Sequence, residues 1–277
     1  MKLSAVVVTQ NEENNIVRCL ESLLFADEIL VVDALSEDRT VELARELGAR
    51  VLSRTWDGFS SQKQFAIDQA KGEWILLVDA DEEVSNELCE EIRAVIQTSD
   101  ETTTVRPPVS DSSGKHPPLH ANDPRVVGFK IRRKNHFLGR WMERGPWADD
   151  YQIRLFKNAR GVIAKRPVHE GVQLDGDSGI LQNPLHHYTH QTLSESFRRL
   201  NRYTTLEATE RASRRTIGLF DVVFPPVGVF LRYYVAGGCW KNGVRGFLLS
   251  AITSMYKSVL YLKIFMLQRQ KRVDGNL

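Results

Sequence analysis

Cysteine is scarce in this 277-residue sequence. The three cysteines, Cys19, Cys89 and Cys239, are an odd number, lie far apart and form no C-x-x-C pair. A disulfide framework needs paired cysteines, and a structural zinc site needs closely spaced ligands. The sequence therefore supports neither kind of site, and the expected compartment is a reducing cytoplasm.

The sequence begins without the pattern of a signal peptide. A secretory signal has an apolar core of roughly 7 to 15 residues. Here the apolar run that follows Lys2 ends at Val8, and polar residues come directly after it at 9–13. We therefore expect no cleaved leader.

The net charge is small, +2, but the charges are unevenly distributed. Residues 1–100 hold 9 basic and 21 acidic side chains, residues 101–195 hold 14 and 10, and residues 196–277 hold 14 and 4. The net charge therefore rises along the chain from −12 through +4 to +10. A basic region suits an anionic partner, but no helix-turn-helix, RNP or zinc-finger pattern accompanies it. Nucleic acid is a poor candidate for that partner.

The first hundred residues alternate between apolar runs and amphipathic segments. The predicted strands are 3–9, 28–33, 49–53 and 74–78. Predicted helices separate them, one with apolar positions from Ile16 to Leu24 and two more at 38–47 and 60–70. Continuously apolar strands separated by helices are typical of a parallel sheet that is covered on both faces. Ligands of such a sheet bind at the carboxyl ends of its strands.

Polar side chains follow three of these strands. Asp79 and Asp81 come directly after the fourth strand, where their side chains point the same way and repel each other unless a cation or a proton lies between them. Carboxylate oxygens that leave positions open for a diphosphate suit Mg²⁺ or Mn²⁺. The alternative for each residue taken singly is an ordinary loop residue or helix cap.

Three motifs occur in order along the first part of the chain: VVVTQNEE at 6–13, VVDALSEDRT at 31–40 and AKGEWILLVDADEE at 70–83. Together they resemble the family 2 glycosyltransferases. The resemblance implies the GT-A fold, an α/β fold with a mixed, mostly parallel sheet and helices on both faces. It also implies a glycosyltransferase that uses a nucleotide sugar, here a UDP-sugar, together with Mg²⁺ or Mn²⁺.

The resemblance assigns roles to residues at the strand ends. Thr9, Glu12 and Asp33 would hold the uridine, and the pair Asp79 and Asp81 would bind the metal that bridges the diphosphate. Asp79 is counted with the nucleotide-binding residues as well. A basic or amide side chain usually lies near the nucleotide in this family, and Lys63 is our choice; its alternative is a solvated helix lysine.

Asp150 is the predicted catalytic base. The segment GPWADDYQIRLF at 145–156 resembles the acidic motif of the family, and its second aspartate is the better match. Inversion at the anomeric carbon requires a base that takes the proton of the attacking hydroxyl. Asp149 is the weaker candidate, and a turn pair that caps the next strand is the alternative for both. Arg154 is expected to support catalysis by holding Asp150 in place.

Histidines are candidates for a third metal ligand, since neutral imidazole suits Mn²⁺. His169 and His186 are the candidates, with Glu170 in support, although a lone histidine is more often structural. The motifs W-x-x-D-x-Q-x-R-L-F at 147–156 and VHE at 168–170 resemble the lipopolysaccharide inner-core enzymes that place β-linked glucose on heptose. That likeness is looser than the likeness to the family.

The remaining segments are predicted from composition. Residues 98–125 lack apolar periodicity and indicate a flexible insert. Residues 126–133 predict a strand, and 135–141 a loop with exposed aromatic side chains. A basic helix is predicted at 194–215, followed by apolar stretches at 217–238 and 247–267. Charged residues interrupt both stretches, and two prolines also interrupt the first. A central charge costs about 2.5 to 3.5 kcal/mol on insertion scales.

We therefore predict a catalytic domain at 1–193, divided into 1–97, the insert 98–125 and an acceptor half at 126–193. Residues 194–277 would form a basic amphipathic helical region lying on the inner face of the cytoplasmic membrane, with packing on the sheet domain or on a second subunit as the alternative. The predicted acceptor is a lipid-linked saccharide. Polyprenyl phosphate as acceptor and a non-catalytic membrane adaptor are the rival hypotheses, and a homo-oligomer stays open.

Overall fold

The structure is a computed structural model that describes residues 1–98, 125–164, 171–189, 192–213 and 216–274. The amino-terminal part alternates between strands and helices, as the sequence predicts. Its elements are β1 (Leu3–Thr9), α1 (Ile16–Glu21), β2 (Glu28–Asp33), α2 (Thr40–Glu46), β3 (Arg50–Ser53), α3 (Phe59–Gln69), β4 (Trp74–Asp79), β5 (Glu82–Val84) and α4 (Asn86–Thr98). The four predicted strands are confirmed to within one residue at each end.

Short strands and then long helices make up the rest of the described chain. The strands are β6 (Val126–Phe137), β7 (Arg140–Met142), β8 (Tyr151–Lys157), β9 (Gly161–Ile163), β10 (Val172–Leu174), β11 (Asp177–Ile180) and β12 (Leu185–His187). The helices are α5 (Leu193–Arg211), α6 (Leu219–Leu231), a π-helical turn (Arg232–Ala236), a 3-10 turn (Cys239–Asn242) and α7 (Gly243–Asp274). Most of the predicted insert, residues 99–124, lies outside the described residues.

The main sheet has the strand order β3-β2-β1-β4-β8-β6-β12-β5. The first four strands are parallel, while β8 pairs antiparallel with both β4 and β6. The register sets Thr9 opposite Asp33, and Val8 opposite Asp79. The carboxyl ends of β1, β2 and β4 therefore meet at one edge, and the predicted α/β fold class is confirmed.

Helices cover both faces of the parallel strands. One face buries Val7, Val31 and Leu76 against α1 and α4, and the other buries Val6 and Leu77 against α3. Each fully buried valine or leucine stabilises the fold by roughly 1.5 to 3 kcal/mol. Because neighbouring residues of a strand point to opposite faces, burial of both faces explains why these strands are apolar throughout.

A glycine in front of β4 fixes how that strand meets β1. A side chain at Gly72 would place its Cβ 2.5 Å from the backbone nitrogen of Ser4. The Gly72 amide donates to the Ser4 hydroxyl at 2.8 Å, and that hydroxyl donates to the buried Glu28 carboxylate at 2.5 Å. This contact lies at the amino ends of β1 and β4, whereas Thr9 and Asp79 lie at their carboxyl ends. It helps to fix the register of the two strands.

The prediction of a loop at 135–141 was wrong. β6 continues to Phe137, turns at Leu138 and Gly139, and returns as β7, with Asn135 paired to Met142. Both turn residues have positive φ, 46° and 81°, as a tight hairpin between twisted strands requires. Phe137 is buried and not exposed. A leucine in the left-handed region is uncommon, so the turn has no clear signature in the sequence.

The described chain divides into two compact units. The first comprises 1–98, 125–133, 150–164 and 171–187, and the second comprises 134–149, 188–189, 192–213 and 216–274. The predicted division at residue 193 differs from this one chiefly in 134–149, which groups with the helices. In the described residues no single helix is long and apolar enough to cross a membrane, but one pair, Phe220–Ala236 and Cys239–Gln270, bent by 70°, meets the criteria of length and composition when taken together.

Candidate active site

The predicted nucleotide edge contains a buried hydroxyl without a hydrogen-bond partner. Thr9 ends β1 and is 3% exposed, and its Oγ1 has no partner within the described structure. Asp33 ends β2 beside it and accepts hydrogen bonds from the Ser36 amide at 2.9 Å and the Ser36 hydroxyl at 2.5 Å. A buried polar atom left unpaired costs about 1 to 3 kcal/mol, so it marks a position that a ligand group can satisfy.

The loop after β1 is tied to the loop after β2. The Asn11 amide donates to the Ser36 hydroxyl at 2.8 Å, and the Asn11 side chain accepts from the Glu37 amide at 2.8 Å. The Glu12 amide donates to Thr40 Oγ1 at 2.8 Å. The Glu12 carboxylate accepts from Asn15 Nδ2 at 2.7 Å, so in this structure Glu12 helps to shape the loop that the sequence assigns to uridine.

Asp79 lies between two cationic side chains. Its Oδ1 is 2.9 Å from Lys63 Nζ, and its Oδ2 accepts from Arg154 Nη2 at 2.6 Å. Burial by itself raises the pKa of Asp79, but the charges of Arg154 and Lys63 outweigh it and hold the pKa well below its usual range. Asp79 is therefore ionised at neutral pH, and Lys63 is a buried partner of the acidic motif rather than a solvated helix lysine.

Arg154 bridges Asp79 and Glu82. Its Nη2 donates to Glu82 Oε1 at 2.5 Å, and both Arg154 and Glu82 are almost fully buried. Burial lowers the pKa of Arg154, but the charges of Asp79 and Glu82 raise it further than burial lowers it. The other Glu82 oxygen accepts from the Asp79 amide at 2.9 Å, which orients the carboxylate.

The sequence analysis offered Arg154 as the residue that holds Asp150, and the structure gives that role to Arg133. The Arg133 amide donates to the Asp150 carbonyl at 2.8 Å, so Arg133 of β6 lies opposite Asp150, the residue directly before β8. Arg154 lies four residues further along β8, roughly 13 Å away along an extended strand, and reaches the end of β4 instead. Sequence proximity to Asp150 therefore pointed to the wrong arginine.

The Asp150 carboxylate is held by two side chains. Arg133 donates through Nε to Oδ2 at 2.9 Å and through Nη2 to Oδ1 at 3.1 Å, and Gln152 Nε2 donates to Oδ1 at 3.1 Å. A bidentate pair of this kind is strong and fixes the orientation of the carboxylate. Asp149, the weaker candidate, is exposed.

Ion pairs connect the two acidic motifs. Arg133 Nη1 lies 3.5 Å from Glu82 Oε1, which completes a chain of contacts from Lys63 through Asp79, Arg154, Glu82 and Arg133 to Asp150. Burial lowers the pKa of Arg133, but Glu82 and Asp150 raise it above its ordinary value. Sequence analysis did not single out Glu82 or Arg133. Their signals in the sequence were the third acidic residue of DADEE and a charged residue at the end of a predicted strand.

Asp81, the second aspartate of the acidic motif, faces a histidine. His187 Nε2 lies 3.5 Å from Asp81 Oδ1, and both side chains are largely buried. The sequence offered His186, but neighbouring strand residues point to opposite sides, so the two histidines of β12 do not share a face. His169 and Glu170 lie outside the described residues.

A divalent cation fits part of this site. In the described residues no group of three or more His, Cys, Asp or Glu side chains has the geometry of a metal centre. The Asp81 carboxylate and the His187 imidazole are ligand types that Mg²⁺ and Mn²⁺ accept, and they are already close. Both oxygens of Asp79 contact cationic side chains, which makes Asp79 a poorer ligand than the motif implies.

Three known proteins resemble this chain to different extents. Lipopolysaccharide core biosynthesis glycosyltransferase LpsC of Rhizobium meliloti is 27% identical over 288 residues, which cover 100% of this chain and 98% of LpsC. Low-salt glycan biosynthesis hexosyltransferase Agl6 of Haloferax volcanii is 30% identical over 127 residues, 43% of this chain and 30% of Agl6. The crystal structure of S. aureus TarS 1–349 in complex with UDP-GlcNAc covers 98% of this chain and 92% of its own, with 14% identity and a TM-score of 0.49.

A family model supplies the assignment. The model described as Glycosyl transferase family 2 matches residues 4–156, more than half of the chain. The match begins in β1 and ends in β8, and it therefore includes Thr9, Asp33, Asp79, Asp81 and Asp150. The chain belongs to glycosyl transferase family 2, as its motifs indicate, and it is a glycosyltransferase.

Proposed function

We propose that this glycosyltransferase moves a hexose, with glucose as first choice, from a UDP-sugar to a lipid-linked saccharide, with inversion at the anomeric carbon. Lipopolysaccharide inner-core heptose is the first candidate for the acceptor. The observation that carries the proposal is that Arg133 and Gln152 hold the Asp150 carboxylate by hydrogen bonds. Asp150 belongs to the same chain of ion pairs as Asp79. The names of LpsC and Agl6 support a core saccharide and a hexose respectively.

The donor nucleotide would bind at the edge formed by β1 and β2. The unsatisfied Thr9 hydroxyl and the buried Asp33 carboxylate are polar groups that a uridine can use. The hydrogen bonds between the two loops fix the backbone around them before any ligand arrives. Lys63 and Arg154 supply positive charge at the end of β4, where the diphosphate would lie.

Asp81 and His187 would hold the divalent cation. Bound there, Mg²⁺ or Mn²⁺ would act as a Lewis acid that neutralises charge on the leaving diphosphate. In this proposal Asp79 orients Lys63 and Arg154 and is not the main ligand. In this proposal the nitrogen ligand is His187, whereas the sequence analysis named His169 and His186 as candidates.

Asp150 would act as the general base. A hydroxyl of the acceptor gives its proton to a carboxylate oxygen of Asp150 while its own oxygen forms the new bond to the anomeric carbon. The bond from that carbon to the diphosphate breaks, and UDP leaves with the electron pair. General-base assistance is worth about 10² to 10⁴ in rate. Arg133 and Gln152 would hold the carboxylate in one orientation during this transfer.

The enzyme would meet its acceptor at the inner face of the cytoplasmic membrane. The second unit carries the basic end of the chain, with 14 basic and 4 acidic side chains in residues 196–277. Anionic lipid attracts such a region, and a lipid-linked acceptor lies at the same surface. Whether the chain forms a homo-oligomer there stays a prediction.

Transfer of radiolabelled sugar tests the proposal. A panel of UDP-sugars is offered with truncated lipopolysaccharide cores and with polyprenyl phosphate, in the presence of Mg²⁺, Mn²⁺ or a chelator. We expect label in heptose-terminated cores only when metal is present. Label in the polyprenyl fraction would show that the acceptor is polyprenyl phosphate and not a lipopolysaccharide core. Absence of transfer from every donor would favour the non-catalytic adaptor.

A further inference from the structure

We propose that an exposed apolar stripe on α6 and the π-helical turn lies within the interfacial region of an anionic lipid bilayer. The stripe consists of Phe220, Val223, Phe224, Val227, Leu231 and Val235. This inference rests on the membrane location that forms part of the proposed function. It adds which surface of the chain enters the lipid, how deeply, and which lipid charge it prefers.

The stripe occupies one side of the helix. Its members follow each other at intervals of one, three or four residues, which keeps them on one face of a helix of about 3.6 residues per turn. Each is between 53% and 78% exposed to solvent. Phe220 and Phe224 stack on each other with ring centroids 5.5 Å apart, so they form a continuous apolar surface. A patch of this kind marks an interaction surface.

The opposite side of α6 is already occupied by α7. Val222 packs against a buried cluster that includes Leu260 and Ile264 of α7. The Ser254 hydroxyl of α7 donates to the Pro226 carbonyl at 2.7 Å. α6 is therefore anchored through one face while its apolar stripe points away from α7.

The charges of the segment that contains the stripe favour an anionic surface. Residues 222–273 contain no aspartate or glutamate and eight basic residues: Arg232, Lys241, Arg245, Lys257, Lys263, Arg269, Lys271 and Arg272. Arg232, Lys241 and Arg245 are exposed. Trp240 is 54% exposed, and the centroid of its ring lies 5.4 Å from Lys241 Nζ. An exposed tryptophan beside a lysine suits the headgroup region of a bilayer. A second copy of the same basic surface would be repelled, so lipid fits better than self-association.

Two observations favour a position along the interface. α6 has 13 residues and is about 20 Å long, whereas the hydrocarbon core of a bilayer is about 30 Å thick. Lys263 of α7 donates to Asn201 Oδ1 and Thr205 Oγ1 of α5, both at 2.7 Å, so the middle of α7 is engaged with another helix of the same unit. An amphipathic helix at an interface buries its apolar face by about 5 to 10 Å.

Flotation of the full chain with vesicles tests the inference, without donor or acceptor. The vesicles are pure phosphatidylcholine, or phosphatidylcholine with 30% phosphatidylglycerol. We expect the chain to float with the anionic vesicles, and to do so less at high salt. Phe220→Glu with Phe224→Glu should weaken the partition at least tenfold. Val162→Glu with Ile180→Glu, which places two charges on comparably exposed apolar residues of the first unit, should leave it unchanged.

Other results would overturn the inference. Equal flotation with neutral vesicles, or unchanged flotation of the phenylalanine variant, would contradict it. So would a dimer in solution that this variant converts to a monomer, because the stripe would then be an interface between copies. Resistance to alkaline carbonate extraction would indicate a spanning segment. Circular dichroism of each variant reports its folding.

The same variants separate this inference from the proposed function. Sugar transfer to detergent-solubilised core should be equal for the wild type and the phenylalanine variant, because the stripe lies outside the catalytic residues. If the chain binds the vesicles but no sugar transfer occurs, the result contradicts the proposed reaction and supports the lipid-binding surface. If transfer occurs and the vesicles do not bind, the lipid surface fails and the reaction stands.

Discussion

The two units of this chain use charge and apolar surface in opposite ways. In the first unit Lys63, Arg154 and Glu82 are buried, and every one of them pairs with an opposite charge. In the second unit the basic residues of 222–273 have no acidic neighbour in that segment, while large apolar side chains such as Phe220 and Val244 are exposed. Burial of a charge is costly unless it is paired, so the first pattern identifies a site for chemistry. The second belongs to the surface that we propose contacts lipid.

Removing one buried charge gives the largest effect that this comparison predicts. Arg154→Ala would leave Asp79 and Glu82 without their shared cation. We expect the free energy of unfolding to fall by about 3 to 5 kcal/mol, the usual effect of breaking a buried pair. Urea denaturation measures it. Arg39→Ala, which breaks an exposed pair with Glu42 in the same unit, is the control and should have no measurable effect.

Weakening the clamp on the base should affect catalysis more than binding. Arg133→Lys keeps the charge but loses the bidentate geometry on Asp150. We expect kcat to fall by up to about 10²-fold, since a small misplacement of a catalytic group has effects of that size, while KM for the donor stays the same. Steady-state kinetics separates the two. A parallel rise in KM would show that Arg133 acts on the nucleotide.

Acid should remove the contribution of Asp79 to stability. The pKa of Asp79 is lower in the folded state than in the unfolded chain, where it is about 3.9. The ion pairs of Asp79 therefore stabilise the protein fully at pH values above about 3.9. This stabilisation is lost as the pH falls through the pKa of the folded state. Asp79→Asn should cost about 1.5 to 3 kcal/mol at pH 7. The difference from wild type, measured by urea denaturation, should stay constant down to about pH 4 and shrink below it.

Asp175→Asn is the matched control, because it removes an exposed carboxylate from the same unit and should leave the free energy of unfolding at pH 7 nearly unchanged. A difference between wild type and Asp79→Asn that did not shrink between pH 4 and pH 3 would contradict the assignment of the lowered pKa to Asp79.

The smallest predicted effect concerns the cation. His187→Ala should raise the Mn²⁺ concentration that supports half-maximal transfer by about tenfold or more, because a nitrogen ligand next to Asp81 is lost. His186→Ala changes the neighbouring residue on the other side of β12 and should have little effect. Metal titration of the transfer rate distinguishes them, and the reverse order would restore the prediction made from sequence.

Local patterns in the sequence predicted the strands that position the site. β1, β2 and β4 are apolar throughout because both of their faces are buried, and Asp33 and Asp79 end two of them. The β6–β7 hairpin escaped prediction, since Leu138 at positive φ gives no turn signal. Such a turn depends on the strands that flank it.

The pairs that complete the site depend on register between distant segments. Glu82 forms ion pairs with Arg133 and Arg154, which lie about 50 and 70 residues further along the sequence. No rule of residue spacing predicts contacts between residues so far apart. The choice between His186 and His187 depends on which of the two side chains lies on the face of the sheet where Asp81 is, and a one-residue change of register reverses it. Chemistry-bearing residues were therefore predictable as types, while their partners required the fold.

The transfer rate of Asp150→Asn tests the central claim most directly. We expect the transfer rate to be about 10²- to 10⁴-fold lower than that of the wild type, because the variant retains the shape of the side chain but cannot take the proton. The affinity for UDP, measured by calorimetry, should be unchanged. Asp149→Asn, its neighbour, should transfer sugar at nearly the wild-type rate. Full activity of Asp150→Asn, or an equal loss in both variants, would contradict Asp150 as the base.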